Sequence, residues 1–236
     1  MSELKAYFAL AAYPAIVTFV FNWFNAGGRW ARENRSFFPP PDLARKTEDS
    51  GRRFLLARYA LLLLVLRGLA GSSFWQVVPI APRSGVWVGP VALGIAGGVI
   101  MLAVRRLFSL LSPSAASSEM NDYFLHGSTI LWISVFLSGG FVEEYWRAFC
   151  IVALHQNGYN SVMANLLSAF AFLLAHLSGL PSRIRQGGTL AELIIGLMLG
   201  GLFIWSGNLV APCVASVIYF TVSFFLVRRR FGGLTD

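Results

Sequence analysis

The chain has 236 residues, of which 56% are hydrophobic and 13% are charged, whereas soluble domains carry about 25% charged residues. Together with several long apolar runs, this composition argues against a soluble protein and predicts one integral membrane domain over residues 1–236. The net charge of +8 could indicate a nucleic-acid partner. No basic stretch is interleaved with aromatic residues, so we expect no such partner and interpret the arginines as flanking membrane helices.

Apolar runs in chain order predict an all-α, polytopic transmembrane bundle of about seven spans. The predicted spans lie near residues 6–24, 54–69, 86–104, 128–154, 161–177, 190–204 and 209–227. Most Lys and Arg residues between spans fall on one side if the N-terminus is outside, which predicts a cytoplasmic C-terminus. We expect a multi-pass protein of the plasma membrane, and the size and compact loops suggest a bacterial inner membrane.

The segments that flank the spans carry charges and helix breakers. Residues 25–53 are rich in Arg and Pro and are predicted to form a cytoplasmic loop. Arg58 and Arg67 lie toward the ends of the second predicted helix, where long basic side chains can reach the membrane surface. The Arg105-Arg106 pair is predicted to end the third helix, in which Gly94, Ala96, Gly97 and Gly98 suit close helix packing.

The fourth predicted helix places Glu143, Glu144 and Arg147 inside an apolar run. Each charge costs roughly 2.5–3.5 kcal/mol to insert, so all three are candidate functional residues. Glu143 and Arg147 are spaced i,i+4 and can pair, whereas Glu144 has no partner in this segment. The glycines at 139 and 140 could bend the helix just before the carboxylates.

Other polar residues also fall in apolar segments. His176 follows Phe172 by one turn on the fifth predicted helix, and an imidazole beside a carboxylate can activate water and stabilise an oxyanion. Glu192 is predicted to open the sixth helix, where an acid favours the helix dipole. Ser216 is most simply a hydroxyl that bonds to its own helix.

These motifs together resemble the CPBP family, the CAAX-protease and bacteriocin-processing intramembrane endopeptidases. The resemblance covers residues 130–225, which are predicted to be the protease-like core. The shared features are Glu143-Glu144 before Arg147, Phe172-x-x-x-His176, the run from Gly196 to Phe203, and Gly207-x-Leu209-x-x-Pro212. The resemblance implies a glutamate-dependent protease whose active site opens toward the cytoplasm.

The resemblance also implies roles for individual residues. One glutamate would activate water, the other would pair with Arg147, and His176 would assist. The spacing between the acids and Arg147 is one residue shorter than in the family, and alignment on Arg147 makes Glu144 the base. Ser216 stands where the family has a second histidine, and Tyr219 lies near the family's asparagine. Both hydroxyls can donate to an oxyanion, so Ser216 completes the candidate catalytic set.

The sequence thus predicts an intramembrane endopeptidase that cleaves a membrane-associated protein or peptide near the cytoplasmic face. The expected partners are a membrane-tethered substrate and the lipid bilayer. No cofactor is expected, although metal dependence of Glu143, Glu144 and His176 is left open. One alternative is a catalytically impaired CPBP-like scaffold that binds a partner protein, motivated by Ser216. Another is a small transporter or proton relay, although no inverted repeat is apparent.

Overall fold

The computed structural model describes residues 3–33, 56, 58–71, 74–82, 85–111, 129–177 and 185–231. Within these residues the fold contains helices and no strands, which confirms the predicted all-α class. The helices are α1 (Glu3–Glu33), α2 (residues 58–70), α3 (Phe74–Val77), α4 (Val88–Leu111), α5 (Thr129–Gln156), α6 (Ser161–Leu177), α7 (Arg185–Ser206) and α8 (Val210–Phe231).

Several helices are longer than their apolar runs. The bounds of α6 agree with the prediction, but α1 continues to Glu33 and α4 continues to Leu111. The predicted loop at residues 25–53 therefore begins with helix, and the remainder of that loop lies outside the described residues. Arg and Glu are good helix formers, so a charged residue that ends a hydrophobic run does not end the helix. For this reason, the prediction that Arg105-Arg106 ends the third helix is wrong.

One helix among the described residues, at Val88–Phe108, is both long and apolar enough to cross a membrane. Shorter apolar helical stretches occupy Ser161–Ala175, Leu190–Ser206 and Val210–Leu226. The described part of the chain therefore confirms a helical protein with one candidate span, and the larger predicted number of spans stays a prediction.

The centre of the fold is α5. Its residues 142–151 are all buried, and the helix contacts α1, α6, α7 and α8. Burial on every side explains why the sequence of α5 is apolar all round rather than along one stripe. Any charge in this stretch is therefore forced to find a partner on a neighbouring helix or on α5 itself.

Glycines set the distances between several helices. A Cβ atom at Gly94 of α4 would lie 2.6 Å from the Ala211 carbonyl oxygen of α8, so these two backbones meet without a side chain between them. A Cβ atom at Gly139 would lie 2.7 Å from the Tyr59 hydroxyl, and one at Gly140 would lie 2.9 Å from Val217. α5 is helical without interruption through both glycines, and these close contacts account for them, while the predicted bend stays a prediction.

A tight turn joins α7 to α8. Gly207 adopts a positive φ of 65°, which stops α7 in the conformation that glycine accommodates most easily. The Asn208 side chain then accepts a hydrogen bond from the Val210 amide at 3.0 Å and donates one to the Ser206 carbonyl at 2.7 Å. This cap begins α8 and fixes the direction in which Ser216 and Tyr219 follow.

Candidate active site

Glu143, Glu144 and Arg147 are buried on α5, with exposed fractions of 8%, 3% and 4%. The Arg147 Nε atom donates to Glu144 Oε2 at 3.0 Å, a pair with i,i+3 spacing. The predicted i,i+4 pair between Glu143 and Arg147 is therefore wrong. Both spacings bring side chains together on a helix, and the neighbouring helices decide between them because Glu143 faces a different cation.

Glu144 is held from two sides. Its Oε2 atom receives the bond from Arg147, and its Oε1 atom accepts a hydrogen bond from Ser216 Oγ of α8 at 3.0 Å. Ser216 was read from sequence as bonding to its own helix, but its hydroxyl reaches across to α5. With both oxygens occupied by buried donors, Glu144 links α5 to α8 as a charge-assisted, satisfied group.

Arg147 extends this connection to two further helices. Its Nη1 atom donates to the Gly196 carbonyl of α7 at 3.3 Å, and its guanidinium carbon lies 3.9 Å from the centre of the Phe172 ring of α6. A Cβ atom at Gly196 would come within 3.3 Å of Nη1, so the glycine leaves room for the guanidinium. Cation–π contact with Phe172 adds stabilisation where water is excluded.

Glu143 pairs with a cation from another part of the chain. Arg58 Nη2 of α2 donates to Glu143 Oε1 at 3.1 Å, and the two side chains are 13% and 11% exposed. The expectation that Arg58 extends to the membrane surface is therefore wrong. The arginine turns inward because a buried carboxylate offers it a partner, and its guanidinium also lies 4.7 Å from the Tyr59 ring centre.

A second ion pair lies beside this group. Arg105 Nη1 of α4 donates to Glu192 Oε1 of α7 at 3.0 Å and also donates to the Tyr219 hydroxyl of α8. Glu192 lies about two turns inside α7, so the predicted position at the start of the helix is wrong. Its role is an ion pair rather than an interaction with the helix dipole.

The two groups of charges share one small cavity of about 30 Å³. That volume exceeds the roughly 10–15 Å³ that a water molecule needs. Side chains from α4, α5, α6, α7 and α8 form the wall. Its polar residues are Glu143, Glu144, Arg147, Glu192, Ser216 and Tyr219. The cavity can therefore bring a water molecule into contact with several carboxylates in an otherwise apolar setting.

Most of the predicted site residues meet on this wall. His176 belongs to α6, and Phe172, one turn before it, lines the cavity. The His176 side chain itself lies outside the described residues. Among the described residues, no group of three or more His, Cys, Asp or Glu side chains is arranged to hold a metal ion. The expectation that no cofactor is needed stays a prediction.

Sequence reasoning missed three partners of this site, namely Arg58, Arg105 and Glu192. Arg58 lies in the same kind of apolar run that drew attention to Glu143, so the cost of a buried charge could have marked it too. Arg58 was missed because arginines near helix ends were assumed to reach water. Tyr219 was noted near the family's asparagine, but its contact with Arg105 was not foreseen.

Comparison with known proteins supports the interpretation of these motifs. Residues 125–222 match the family model described as Rce1-like, type II CAAX prenyl endopeptidase. The match begins before α5 and ends within α8, so it contains the glutamates, Arg147, Glu192, Ser216 and Tyr219. No curated protein and no solved structure gave a significant match. Residues 125–222 of the chain are therefore similar to the Rce1-like type II CAAX prenyl endopeptidases.

Proposed function

We propose that this protein is a glutamate-dependent intramembrane endopeptidase that hydrolyses a peptide bond of a membrane-associated protein near the cytoplasmic face. The observation that carries the proposal is the position of Glu143, a buried acidic residue on the wall of a cavity large enough for water. The similarity of residues 125–222 to a family of endopeptidases supports peptide hydrolysis as the reaction class. The mechanism, the catalytic roles and the substrate belong to the proposal.

Glu143 is the proposed general base, in place of the assignment to Glu144 that alignment on Arg147 favours. Both oxygens of Glu144 already accept hydrogen bonds, from Arg147 and Ser216. Glu143 accepts a hydrogen bond from Arg58 on its Oε1 atom, lies near the Tyr59 hydroxyl, and shares the cavity wall with Glu144. We favour Glu143 because Arg58 engages one of its oxygens, whereas Glu144 holds a buried donor on each oxygen.

The proposed reaction begins when a cavity water transfers a proton to Glu143 and its oxygen attacks the carbonyl carbon of the scissile peptide bond. The carbonyl oxygen then carries the negative charge of a tetrahedral intermediate. Glu143 returns the proton to the peptide nitrogen, the C–N bond breaks, and an acid and an amine are released. Glu143 thus acts first as the general base and then as the general acid.

Tyr219 is the proposed donor to the developing oxyanion. Its oxygen accepts a hydrogen bond from Arg105, which leaves its own O–H proton available to the cavity. The Ser216 proton is directed to Glu144, so we assign Ser216 to holding Glu144 rather than to the oxyanion. The resemblance gives His176 a supporting role in the same step. A donor that is fixed before reaction stabilises charge without reorganisation.

We further propose that the protein is a multi-pass bundle of the bacterial inner membrane with a cytoplasmic C-terminus. Large apolar side chains cover the outside of the described helices, including Val162 and Trp205, each 79% exposed, and Phe225 at 51%. Only 22% of the apolar span in α4 is buried, whereas a core helix of a soluble protein would be mostly covered. An apolar surface of this extent is stable against lipid.

The substrate is expected to be tethered to the membrane, because the site is built among apolar helices. The description of the matching family is type II CAAX prenyl endopeptidase, and a C-terminal prenylated segment is our first candidate. The cavity holds little more than water, so the scissile segment must enter from the open side of the pocket rather than fill the existing space.

The test uses purified protein in proteoliposomes with a quenched fluorescent farnesylated peptide that ends in a CAAX sequence. In parallel, membrane proteomes from cells that carry the wild type or Glu143→Gln are searched for an unprocessed precursor. We expect Glu143→Gln to lower cleavage by roughly 10²–10⁴-fold, the usual contribution of a general base. Glu3→Gln, a change at the exposed start of α1, is the matched control and should cleave normally.

Retained cleavage in Glu143→Gln would refute the proposed base. If the wild type cleaves neither the peptide nor any protein of the membrane proteome, the protease proposal itself fails. The scaffold alternative, which is motivated by Ser216 in place of a histidine, would then be favoured by a stoichiometric partner that copurifies equally with wild type and Glu143→Gln.

A further inference from the structure

Arg58 reaches the candidate site from outside the family-like segment. It lies on α2, whereas the family model covers residues 125–222. We infer that Arg58 is a positioning residue that holds the carboxylate of Glu143 in place at the cavity wall. This inference rests on the proposed function and adds to it a residue that the family motifs do not include.

The contact between the two side chains is buried and specific. Arg58 Nη2 lies 3.1 Å from Glu143 Oε1, and neither side chain is more than 13% exposed. A charge-assisted hydrogen bond in such surroundings is strong and weakly screened. Because the bond is made to Oε1, it fixes the rotation of the carboxylate while the group still lines the cavity.

Tyr59, the next residue on α2, packs against α5 beside this ion pair. The Tyr59 hydroxyl lies 2.7 Å from the position that a Cβ atom of Gly139 would take, and Gly139 and Glu143 share one face of α5 because they are spaced i,i+4. The Arg58 guanidinium lies over the Tyr59 ring. Two consecutive residues of α2 therefore contact one face of α5. These contacts restrict the position of the Arg58 side chain relative to Glu143.

The other charged groups around the cavity are already paired. On α5, Glu144 and Arg147 hold each other, and Glu192 of α7 is held by Arg105 of α4. The remaining titratable neighbours are Tyr13 of α1, Tyr59 of α2 and Tyr219 of α8, which also faces Arg105.

Among the described residues, Arg58 is therefore the cation that balances Glu143. Without it, the Glu143 carboxylate would be a buried charge without its partner, and nothing on α2 would hold its orientation.

The experiment compares kcat and KM for wild type, Arg58→Gln, Arg58→Lys and Arg67→Gln in proteoliposomes, with the substrate that the wild type cleaves. For Arg58→Gln, we expect kcat to fall by roughly 10²-fold, the cost of a misplaced reacting group, with little change in KM. Arg58→Lys retains a charge on a shorter arm and should recover part of kcat. Arg67, exposed on the same helix, is the matched control and its variant should have the wild-type kcat and KM.

A wild-type kcat in folded Arg58→Gln would overturn the inference, and so would a loss that Arg58→Lys does not recover in part, because Arg58 would then only support packing. If Arg58→Gln does not fold, Arg58→Lys decides alone, and a wild-type kcat in that variant overturns the inference. Glu143→Gln is measured alongside. If it stays active, the proposed function fails; if it is inactive while both Arg58 variants match wild type, the inference fails and the proposed function stands.

Discussion

Replacing Glu144 with glutamine should mainly lower the stability of the folded protein. Cleavage should persist, because the proposed base is Glu143. The change removes the negative charge that faces Arg147, which is 4% exposed. Removing one partner of a buried ion pair usually costs about 3–5 kcal/mol because the other charge is left uncompensated. The glutamine oxygen can still accept one of the two 3.0 Å hydrogen bonds that Glu144 receives, so we expect the lower end, about 3 kcal/mol.

The assay is thermal unfolding of the purified protein in detergent micelles, followed by cleavage at a temperature at which the variant remains folded. For a chain of this length, about 3 kcal/mol corresponds to a loss of roughly 6–12 °C in Tm. The double variant Glu144→Gln/Arg147→Met should recover part of that loss, because an apolar side chain in place of the buried cation removes the unpaired charge.

Two results would contradict this reasoning. A variant Glu144→Gln with the wild-type Tm would show that the pair with Arg147 contributes little. A variant with the wild-type Tm and no cleavage would in addition assign the base to Glu144, as the alignment on Arg147 favours. Folded Glu144→Gln that still cleaves, beside folded Glu143→Gln that does not, is the outcome expected from the geometry.

Three further changes test the packing that holds the cavity together, each by Tm in the same micelles. Gly94→Ala should lower stability by about 1–3 kcal/mol, since its Cβ atom would lie 2.6 Å from the Ala211 carbonyl oxygen. Gly201→Ala is the control and should be neutral or stabilising, because a Cβ atom there would have no neighbour within 4 Å. Ser216→Ala leaves Glu144 Oε1 without its donor and should cost about 1–3 kcal/mol; no change in Tm would mean that this bond is dispensable. Asn208→Ala removes the cap of α8 and should cost about 0.5–2 kcal/mol, and an unaltered Tm would argue against that cap.

The sequence predicted helices better than it predicted their ends. Apolar runs locate the part of a helix that is covered by other helices or by lipid, and α6 coincides with its run because polar residues bound it on both sides. α1 and α4 continue through charged residues that are themselves good helix formers, so their bounds were placed too early. The small residues of α4 were correctly linked to close packing, because Gly94 and Gly98 both meet carbonyl oxygens of α8.

For the site, the sequence identified the costly charges but not the way they pair. Spacing along one helix allowed Arg147 to pair with either glutamate, and the choice depends on Arg58, which is 85 residues away from Glu143 in sequence. The spacing of residues along one helix gives no information about partners on other helices. Arg58 and Arg105 were assigned to the water interface by a rule that holds for most arginines near helix ends, and that rule fails where a buried acid lies within reach.

The ion pair between α2 and α5 also constrains how the chain can be made. In a protein inserted helix by helix during synthesis, Arg58 leaves the ribosome 85 residues before Glu143. At about 5–20 residues per second, it waits for several seconds without its partner. If the helices form the proposed membrane bundle, α2 would be a poor membrane segment during that interval, since a lone guanidinium must stay near water or recruit lipid headgroups. Pairing with Glu143 of α5 would then let the arginine turn inward, which would link completion of the site to stable insertion of α2.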